Sequence, residues 1–373
     1  MKDPKVSVVL AVYNAEQHLE QCLESLRRQT LKEIEIICVD DGSLDRSNEI
    51  LCRYEQNDPR FRVICQKNAG AGAARNTGLQ YIRGKYSIFL DADDFFETDM
   101  LESALDEAER QQADVIVFGC DIFQNNQYLP CTYSIRRELL PKKECFALTD
   151  VQRDAFKLFT GWAWDKLFRT DLIRENALRF QEQRTTNDML FVFSALLKAK
   201  RIAIKDRVLA HYRREAGTLS VTREKSWHCF YDALLALRTN LQSWGMYSRF
   251  ERDFLNYCVH FSLWNLNTLC EPTYTLLYDK LREEWYRELG VLERPASYFY
   301  DKAEYREFKN VMNHSAGWRN STGGHLQITL SKCIQRLRRI IGILKNGNVD
   351  YTLKYMRDKF LSKSKPRNKA GCK

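Results

Sequence analysis

The sequence lacks any hydrophobic run long enough to cross a membrane. Its longest apolar stretch lies near Val8–Tyr13, far short of the roughly 18 residues that a spanning helix needs. No basic segment followed by an apolar core opens the chain, so we expect no secretory signal. Both absences predict a cytoplasmic protein, with a peripheral position on the inner face of the cytoplasmic membrane as the alternative.

Cysteine clusters are also absent, although the chain has 12 cysteines. None forms a CxxC pair or groups with histidine, which a structural zinc site requires. Disulfide-rich scaffolds are typically small secreted domains, whereas this chain has 373 residues. Cys38 and Cys65 lie in apolar stretches, where cysteine acts as a small hydrophobe. We therefore expect reduced thiols.

Acidic residues are scarce at the C-terminal end. Lys332–Lys373 contains 13 Lys and Arg but only two acids, whereas the whole chain carries a net charge of +9. Apolar residues recur at helical spacing within Ile328–Leu344, a pattern typical of a helix lying on an anionic membrane surface. The alternative is a helix packed on the body of the protein, followed by a solvated tail. No nucleic-acid partner is expected, because the remaining residues are nearly neutral.

The first 120 residues alternate short apolar runs with amphipathic stretches, which predicts an α/β fold with a mostly parallel sheet. The predicted strands are Val6–Val12, Ile34–Val39, Arg62–Cys65, Tyr86–Leu90 and Val115–Phe118. The predicted helices are Glu16–Gln29, Asp45–Gln56, Gly72–Ile82 and Thr98–Gln112.

After residue 120 the alternation weakens. Ile122–Arg136 is read as extended, Val151–Phe159 and Asp188–Lys200 as helical, Ile202–Tyr212 as a short strand pair, and Ser226–Arg287 as helical. The predicted division is an α/β catalytic domain over 1–222, a helical region over 223–312, a linker over 313–327 and a basic amphipathic segment over 328–373.

Polar clusters follow three of the predicted strands, where ligands bind in open parallel sheets. Asp91, Asp93 and Asp94 stand within four residues of one another. Such carboxylates repel one another, and their burial is costly without a cation. Hard oxygen ligands suit Mg²⁺ or Mn²⁺ together with substrate phosphates. Helix capping and turn formation are the alternative for single residues such as Ser43, Asp45 or Thr98, but they do not account for the three acids together.

The segment 68–76 contains Gly70 and Gly72 at the spacing of a dinucleotide fingerprint, but Arg75 occupies the third glycine position. The segment also follows a later strand than the first, so a nicotinamide-dependent enzyme is not expected. Arg75 near a glycine-led helix start is suited to phosphate. No phosphate-binding loop of the GxxxxGK[ST] type is present.

These segments, in this order, resemble the family-2 inverting glycosyltransferases of GT-A fold. The resemblance covers about residues 5–222. It is carried by VSVVLAVYN (6–14), VDDGS (39–43), NAGAGAARNTG (68–78), FLDADD (89–94), WDKLF (164–168), TNDMLF (186–191) and YRR (212–214).

The resemblance implies a nucleotide-sugar site. It implies that Asp41 reads the uracil, that Asp91 lies near the ribose, and that Asp93, with Asp91, binds Mn²⁺ or Mg²⁺ at the diphosphate. The nucleotide-sugar-binding residues implied are Val12, Tyr13, Asn14, Glu16, Asp41, Asn68, Arg75, Asp91, Arg213 and Thr218, the last two in a loop that closes on the diphosphate.

It further implies that Asp188 is the catalytic base, preceded by Asn187 where the family usually has an acid. The acceptor region then includes Trp164, Asp165 and Asn187, with Asp165 in place of the common Asn. On sequence alone, Asp188 is equally a helix N-terminal carboxylate.

The function implied is inverting, metal-dependent transfer of a single sugar from a UDP-sugar to a carbohydrate or lipid-linked glycan, in bacterial surface-polysaccharide assembly. A Gln-x-x-Arg-Trp motif of processive synthases is absent. The main alternative is a non-catalytic module that binds nucleotide or carbohydrate. Nucleotidyl transfer is less favoured, because no glycine- and lysine-rich loop lies near the N-terminus.

Overall fold

The apolar runs of the N-terminal third form strands of one mixed sheet in the computed structural model, which describes residues 3–214 and 223–317. In chain order the strands β1 to β10 are Val6–Val12, Ile34–Asp40, Phe61–Cys65, Tyr86–Asp91, Phe95–Phe96, Val115–Gln124, Gln127–Pro130, Cys145–Phe146, Lys166–Arg169 and Ile202–Arg213. The sheet order is β3-β2-β1-β4-β9-β6-β10-β5, with β7 on β6 and β8 on β10.

Helices follow most of the early strands. In chain order α1 to α11 are Glu16–Arg27, Ser47–Asn57, Ala71–Leu79, Met100–Gln111, Thr170–Glu175, Met189–Lys198, Cys229–Ser243, Tyr247–Leu266, Thr273–Lys280, Tyr286–Glu288 and Lys302–Asn313. The predicted early strands and helices are confirmed, with ends that differ by a few residues. The fold is the predicted α/β class with a helical C-terminal region.

Alternate residues of each central strand point to opposite faces of the sheet, and helices cover both. Val8 and Ile36 belong to the same hydrophobic core as α1, α2 and α4. On the other face, Val9 lies against Gly78 of α3, and the ring of Phe89 lies 5.1 Å from that of Phe191 in α6. Burial on both faces explains why these strands are almost continuously apolar.

The strand register sets where the polar residues meet. In parallel pairing, Val12 of β1 lies opposite Asp40 of β2, and Ala11 lies opposite Asp91 of β4. The residues that follow these three strands therefore gather at one edge of the sheet.

Two predictions for the middle of the chain are wrong. The expected helix over Val151–Phe159 is a single 3₁₀ turn at Ala155–Lys157. Ile202–Tyr212 is one long strand, β10, instead of a strand pair. It runs parallel to β6 with register shifts after Lys205 and after Val208.

The described residues divide into two compact units. The first comprises those up to Arg136 and from Pro141 to Phe250, and the second comprises Arg137–Leu140 and those from Glu251 onward. The predicted boundary between 222 and 223 stays a prediction. Thr218, most of the predicted linker and the basic segment 328–373 lie outside the described residues. Among residues 3–214 and 223–317, no helix has the length and apolar character needed to traverse a bilayer.

Candidate active site at the carboxyl ends of the parallel strands

The loop after β1 is joined to the loop after β2 by hydrogen bonds. Asn14, which has a left-handed φ of 46°, donates its backbone N–H to Ser43 Oγ at 3.0 Å. Its side-chain Oδ1 accepts from the N–H of Leu44 at 2.7 Å. Val12 is buried, and the neighbouring Tyr13 leaves 48% of its surface exposed. The two loops thus form one surface beside an accessible aromatic ring.

Glu16 adds a second link between the same loops. Its backbone N–H donates to Asp45 Oδ2 at 3.0 Å, and its carboxylate accepts from the N–H of Arg46 at 3.1 Å. In the structure Glu16 therefore holds the start of α1 against the start of α2.

Asp41 is 2% exposed, and its carboxylate fixes the loop before α3. Oδ1 accepts from Gln66 Nε2 at 2.7 Å and from the N–H of Ala69 at 2.9 Å. Oδ2 accepts from the N–H of Gly70 at 2.7 Å, and Asn68 Nδ2 donates to the Asp41 carbonyl at 2.9 Å. These bonds use three of about four acceptor positions on the carboxylate, and the carboxylate thereby holds the Asn68–Gly70 loop against the end of β2.

Arg75 connects α3 with two other parts of the site. Nη1 donates to Asn187 Oδ1 at 2.7 Å, and Nη2 pairs with Asp91 Oδ1 at the end of β4. The guanidinium lies 5.3 Å from the ring centre of Phe180. Arg75 is only 4% exposed, so this network is fixed in place.

The close approach of α3 depends on Gly72. A Cβ atom at this position would lie 2.0 Å from the carbonyl oxygen of Gln181 and 3.3 Å from Cβ of Asn187. Gly70 has φ +93° at the start of the same helix, a conformation that side chains other than glycine rarely adopt. The two glycines thus serve backbone packing, not a dinucleotide fingerprint.

The acids after β4 avoid mutual repulsion in different ways. Asp91 pairs with Arg75. Asp94 is 1% exposed, its Oδ1 accepts from the N–H of Arg213 at 2.8 Å, and burial raises its pKa well above the usual range. Burial, with a smaller effect of Asp91, raises the pKa of Asp93 to about 6. The ion pair with Arg75 and the raised pKa values of Asp93 and Asp94 therefore moderate the repulsion among the three acids, and the predicted cation at this site stays a prediction.

Asp188 is the N-cap residue of α6 and lies next to this network. Burial raises its pKa to about 6; Arg75 lowers it, and Asp91 raises it. Asn187, the preceding residue, is the hydrogen-bond partner of Arg75. The structure thus brings Arg75, Asp91, Asn187 and Asp188 together.

The predicted acceptor residues Trp164 and Asp165 are both buried. Asp165 has no exposed surface, and its Oδ1 accepts from Lys166 Nζ at 2.6 Å. The carboxylate of Asp165 is therefore inaccessible and engaged by the buried ammonium, and its predicted place in the acceptor region stays a prediction.

Arg213 is the last residue of β10, so its predicted position in a loop is wrong. Its Nε donates to the carbonyl oxygen of Asp93 at 2.8 Å, and its guanidinium lies 5.4 Å from the ring centre of Phe95 and 5.2 Å from that of Phe123. Nothing in the sequence indicates this anchoring of Asp93 and Asp94, because β10 and β4 are far apart in the chain. A role for Arg213 at a diphosphate stays a prediction.

A divalent cation is compatible with the acids of this site. Within residues 3–214 and 223–317, no three His, Cys, Asp or Glu side chains are arranged to hold a metal. Magnesium, however, is commonly held by one or two carboxylates together with water and substrate phosphates. Asp93 and Asp91, whose side chain is 34% exposed, provide two such hard oxygen ligands.

The family model and two of the curated relatives that this chain matches are described as glycosyltransferases. Residues 7–176 match the family described as Glycosyl transferase family 2. EpsH of Bacillus subtilis (strain 168), named as a glycosyltransferase, is 32% identical over 76% of this chain and 82% of its own length. EpsJ of the same organism, an uncharacterized glycosyltransferase, is 37% identical over 58% of this chain and 63% of its own length, which is less than two thirds of that relative.

A solved structure has the same fold. TarS 1–349 of S. aureus in complex with UDP-GlcNAc matches with a TM-score of 0.53 and 20% identity, covering 82% of this chain and 92% of that chain. At this identity the likeness concerns the fold alone.

Proposed function

The chain belongs to glycosyltransferase family 2, and from that premise we propose that it transfers a single sugar from a UDP-sugar, with inversion at the anomeric carbon, to a hydroxyl group of a glycan or lipid-linked glycan. The observation that carries the proposal is the meeting of Asp188 with the Arg75–Asp91 pair at the carboxyl ends of the parallel strands. Sugar transfer needs a base beside the acceptor and charge neutralisation beside the leaving diphosphate. The cluster supplies candidates for both.

Asp188 is the proposed general base. With a pKa of about 6, it is mostly ionised at pH 7 yet more basic than an ordinary aspartate, which suits a proton acceptor near neutral pH. The acceptor hydroxyl passes its proton to Asp188 while its oxygen bonds to the anomeric carbon. The bond from that carbon to the diphosphate breaks on the opposite face, which inverts the configuration.

Asp93 and Asp91 are the proposed ligands of Mn²⁺ or Mg²⁺. A bound divalent ion would neutralise the charge that develops on the leaving diphosphate. Arg75 keeps Asp91 oriented through their ion pair, and Arg213 fixes the Asp93 backbone. The raised pKa of Asp93 predicts that metal binding weakens as the pH falls, since a ligand carboxylate must be deprotonated.

The joined loops after β1 and β2 are the proposed nucleotide site. The exposed ring of Tyr13 offers a stacking surface for a base. The remaining acceptor position on Asp41, held by the Asn68–Gly70 loop, suits the N–H of uracil. TarS was crystallised with UDP-GlcNAc, so UDP-sugars are the first donors to test.

The proposed setting is the assembly of a bacterial surface polysaccharide at the cytoplasmic membrane. The basic composition of Lys332–Lys373 supports a peripheral contact with anionic lipid. A lipid-linked acceptor would lie at that same surface.

Purified full-length protein tests the function directly. We expect slow hydrolysis of one UDP-sugar from a panel, dependent on Mn²⁺ or Mg²⁺, and faster release of UDP when a suitable glycan is added. If UDP and UDP-sugars bind, but no sugar is released or transferred from any donor with either metal and a broad set of glycans, the chain is the non-catalytic module instead.

A further inference from the structure

Three aromatic side chains, Trp162, Trp164 and Tyr212, pack against one another as a stacked cluster that we term the aromatic platform. The ring centres of Trp162 and Trp164 are 4.7 Å apart and nearly parallel, at 21°. Tyr212 lies 5.5 Å from Trp162 and 5.7 Å from Trp164. Trp164 is buried, whereas Trp162 and Tyr212 are partly exposed, so a ligand can reach the rim of the platform.

The platform is fixed by a buried lysine. Lys166 has no exposed surface, and its ammonium donates to the carbonyls of Thr160 at 3.0 Å and Trp162 at 2.8 Å, as well as to Asp165. These three acceptors match the three N–H donors of the ammonium. Lys166 therefore determines the path of the backbone that carries Trp162.

The same backbone packs against the start of α6. A Cβ atom at Gly161 would lie 3.3 Å from Cα of Met189, the residue after Asp188. Gly161 and Met189 are therefore in close contact, and because Trp162 follows Gly161 directly in the chain, the backbone that carries Trp162 lies beside the residue after Asp188.

A positively charged group borders the platform. Arg214 Nη2 donates to the hydroxyl oxygen of Tyr133 at 2.9 Å, and the guanidinium lies 5.9 Å from the ring centre of Tyr212. The ring of Tyr133 in turn lies 5.7 Å from that of Trp162. Arg214 is exposed, and no carboxylate of the described residues pairs with it.

We propose that the aromatic platform and Arg214 form the acceptor subsite, and that this subsite takes a pyranose ring carrying an anionic group, either a carboxylate or a phosphate. The apolar face of a sugar ring packs on aromatic side chains, which with a few polar groups typically line ligand sites. Arginine matches carboxylate and phosphate oxygens in a bidentate manner. The inference rests on the proposed function, because it is the base Asp188 that makes the neighbouring surface an acceptor site.

The charge preference is tested with full-length protein and three probes: methyl β-D-glucoside, methyl β-D-glucuronide and methyl 6-phospho-β-D-glucoside. Saturation-transfer NMR titrations with UDP present give the three dissociation constants. We expect at least one anionic probe to bind about tenfold more tightly than the neutral one, since a hydrogen bond to a charged group contributes about 1.5–3 kcal/mol. The tighter of the two anions identifies the carboxylate or the phosphate.

Arg214→Gln should remove that preference, and Arg110→Gln is the matched control on α4, where Arg110 pairs with Glu107. Trp162→Leu should weaken all three probes about equally, because it removes stacking surface and leaves the charge. Circular dichroism and thermal unfolding verify the fold of each variant. Because Arg214 is exposed, we expect Arg214→Gln to fold, and this variant alone tests the charge preference if Trp162→Leu does not fold.

Equal affinity for charged and neutral probes, or an unchanged preference in Arg214→Gln, overturns the subsite. If the protein turns over a UDP-sugar but the probe affinities are the same in the wild type and in Arg214→Gln, the subsite is wrong and the proposed function stands. If the probes bind through Arg214 and Trp162 but no sugar is transferred from any donor, the proposed function fails while the sugar-binding surface stands.

Discussion

At the scale of single residues, burial raises the pKa of two carboxylates of the site, Asp93 and Asp188. Asp188 remains partly buried beside a guanidinium and a second carboxylate, and the net result is a pKa of about 6. An amide has nearly the same size but cannot accept the proton. Asp188→Asn should therefore reduce turnover about 10²–10⁴-fold and leave the affinity for UDP nearly unchanged.

Steady-state transfer rates and calorimetric UDP titrations check this prediction. Asp171→Asn, an exposed acid in the first turn of α5, is the matched control. Wild-type turnover in Asp188→Asn would mean that another residue is the base.

The same burial predicts that Asp188 destabilises the fold at neutral pH. Its pKa is about 6 in the folded protein and 3.8 as the ordinary value, so the folded state binds the proton more tightly. Its contribution is then most favourable at acid pH and is lost as the pH rises from about 4 to 6. Asp188→Asn should be more stable than the wild type by about 1–3 kcal/mol near pH 7.5, with a smaller difference near pH 4.

Urea unfolding at the two pH values measures this difference. A difference in unfolding free energy that stays constant with pH would show that the Asp188 carboxyl is not desolvated in the folded protein.

Asp93 is the residue on which the proposed metal depends most. Asp93→Asn removes one hard oxygen ligand, so Mn²⁺ should no longer increase the affinity for UDP, whereas metal-free binding should change little. UDP titrations with and without Mn²⁺ measure this, with Asp106→Asn on the exposed face of α4 as control. A full Mn²⁺ effect in folded Asp93→Asn would exclude Asp93 as a ligand.

The sequence predicts individual site residues only where they belong to a motif of the family. Arg75, Asp91 and Asp188 each belong to such a motif, and in the structure Arg75 pairs with Asp91 and both act on the pKa of Asp188. The sequence does not show that Asp165 is fully buried and bound to the adjacent Lys166, because that burial depends on packing with residues distant in the chain. The link from Arg213 to Asp94 spans 119 residues, and nothing local to either residue indicates it.

At the scale of secondary-structure elements, α3 and the segment before α6 are packed backbone to backbone. Gly72→Ala would place a methyl group 2.0 Å from the Gln181 carbonyl oxygen, so Gln181–Asn187 must move. We expect a loss of about 1–3 kcal/mol in stability and a fall in turnover, because Asn187 is displaced from Arg75. Chemical unfolding and transfer rates measure the two effects.

Gly317→Ala provides the comparison, because a Cβ atom there meets no atom of residues 3–214 and 223–317 within 4 Å. Equal stability and turnover in the two variants would contradict the close packing at Gly72.

Element prediction succeeded where the signal was local. Val6–Val12 is recovered residue for residue, because a fully buried parallel strand is apolar throughout. The strand pair predicted over Ile202–Tyr212 is wrong, since the exposed residues in its middle, Asp206–Val208, are typical of a turn, whereas pairing with Val115–Gln124 keeps the chain extended. That pairing partner is almost 90 residues away.

At the scale of the whole molecule, charge is distributed unevenly along the sequence. Lys332–Lys373 carries 13 basic and two acidic residues, and these residues lie outside the part that the structure describes. Near an anionic leaflet each such positive charge contributes about 1 kcal/mol before screening. The proposed acceptor surface and a membrane-linked acceptor would then be brought together by the C-terminal segment.

Truncation after Gly324 tests that arrangement. Liposomes containing anionic lipid should sediment the full chain at low salt and the truncated chain much less, and added salt should reduce binding of the full chain because screening shortens the reach of the charges. Lys363→Gln/Lys365→Gln/Lys369→Gln removes charge without removing chain, so it separates electrostatic attraction from loss of an apolar surface. If this variant sediments like the wild type while the truncated chain does not, the apolar residues of Ile328–Leu344 form the contact with the membrane.

Equal sedimentation of the full and truncated chains would mean that the segment is not an anchor. The lipid-linked acceptor would then have to be recognised by the catalytic unit alone.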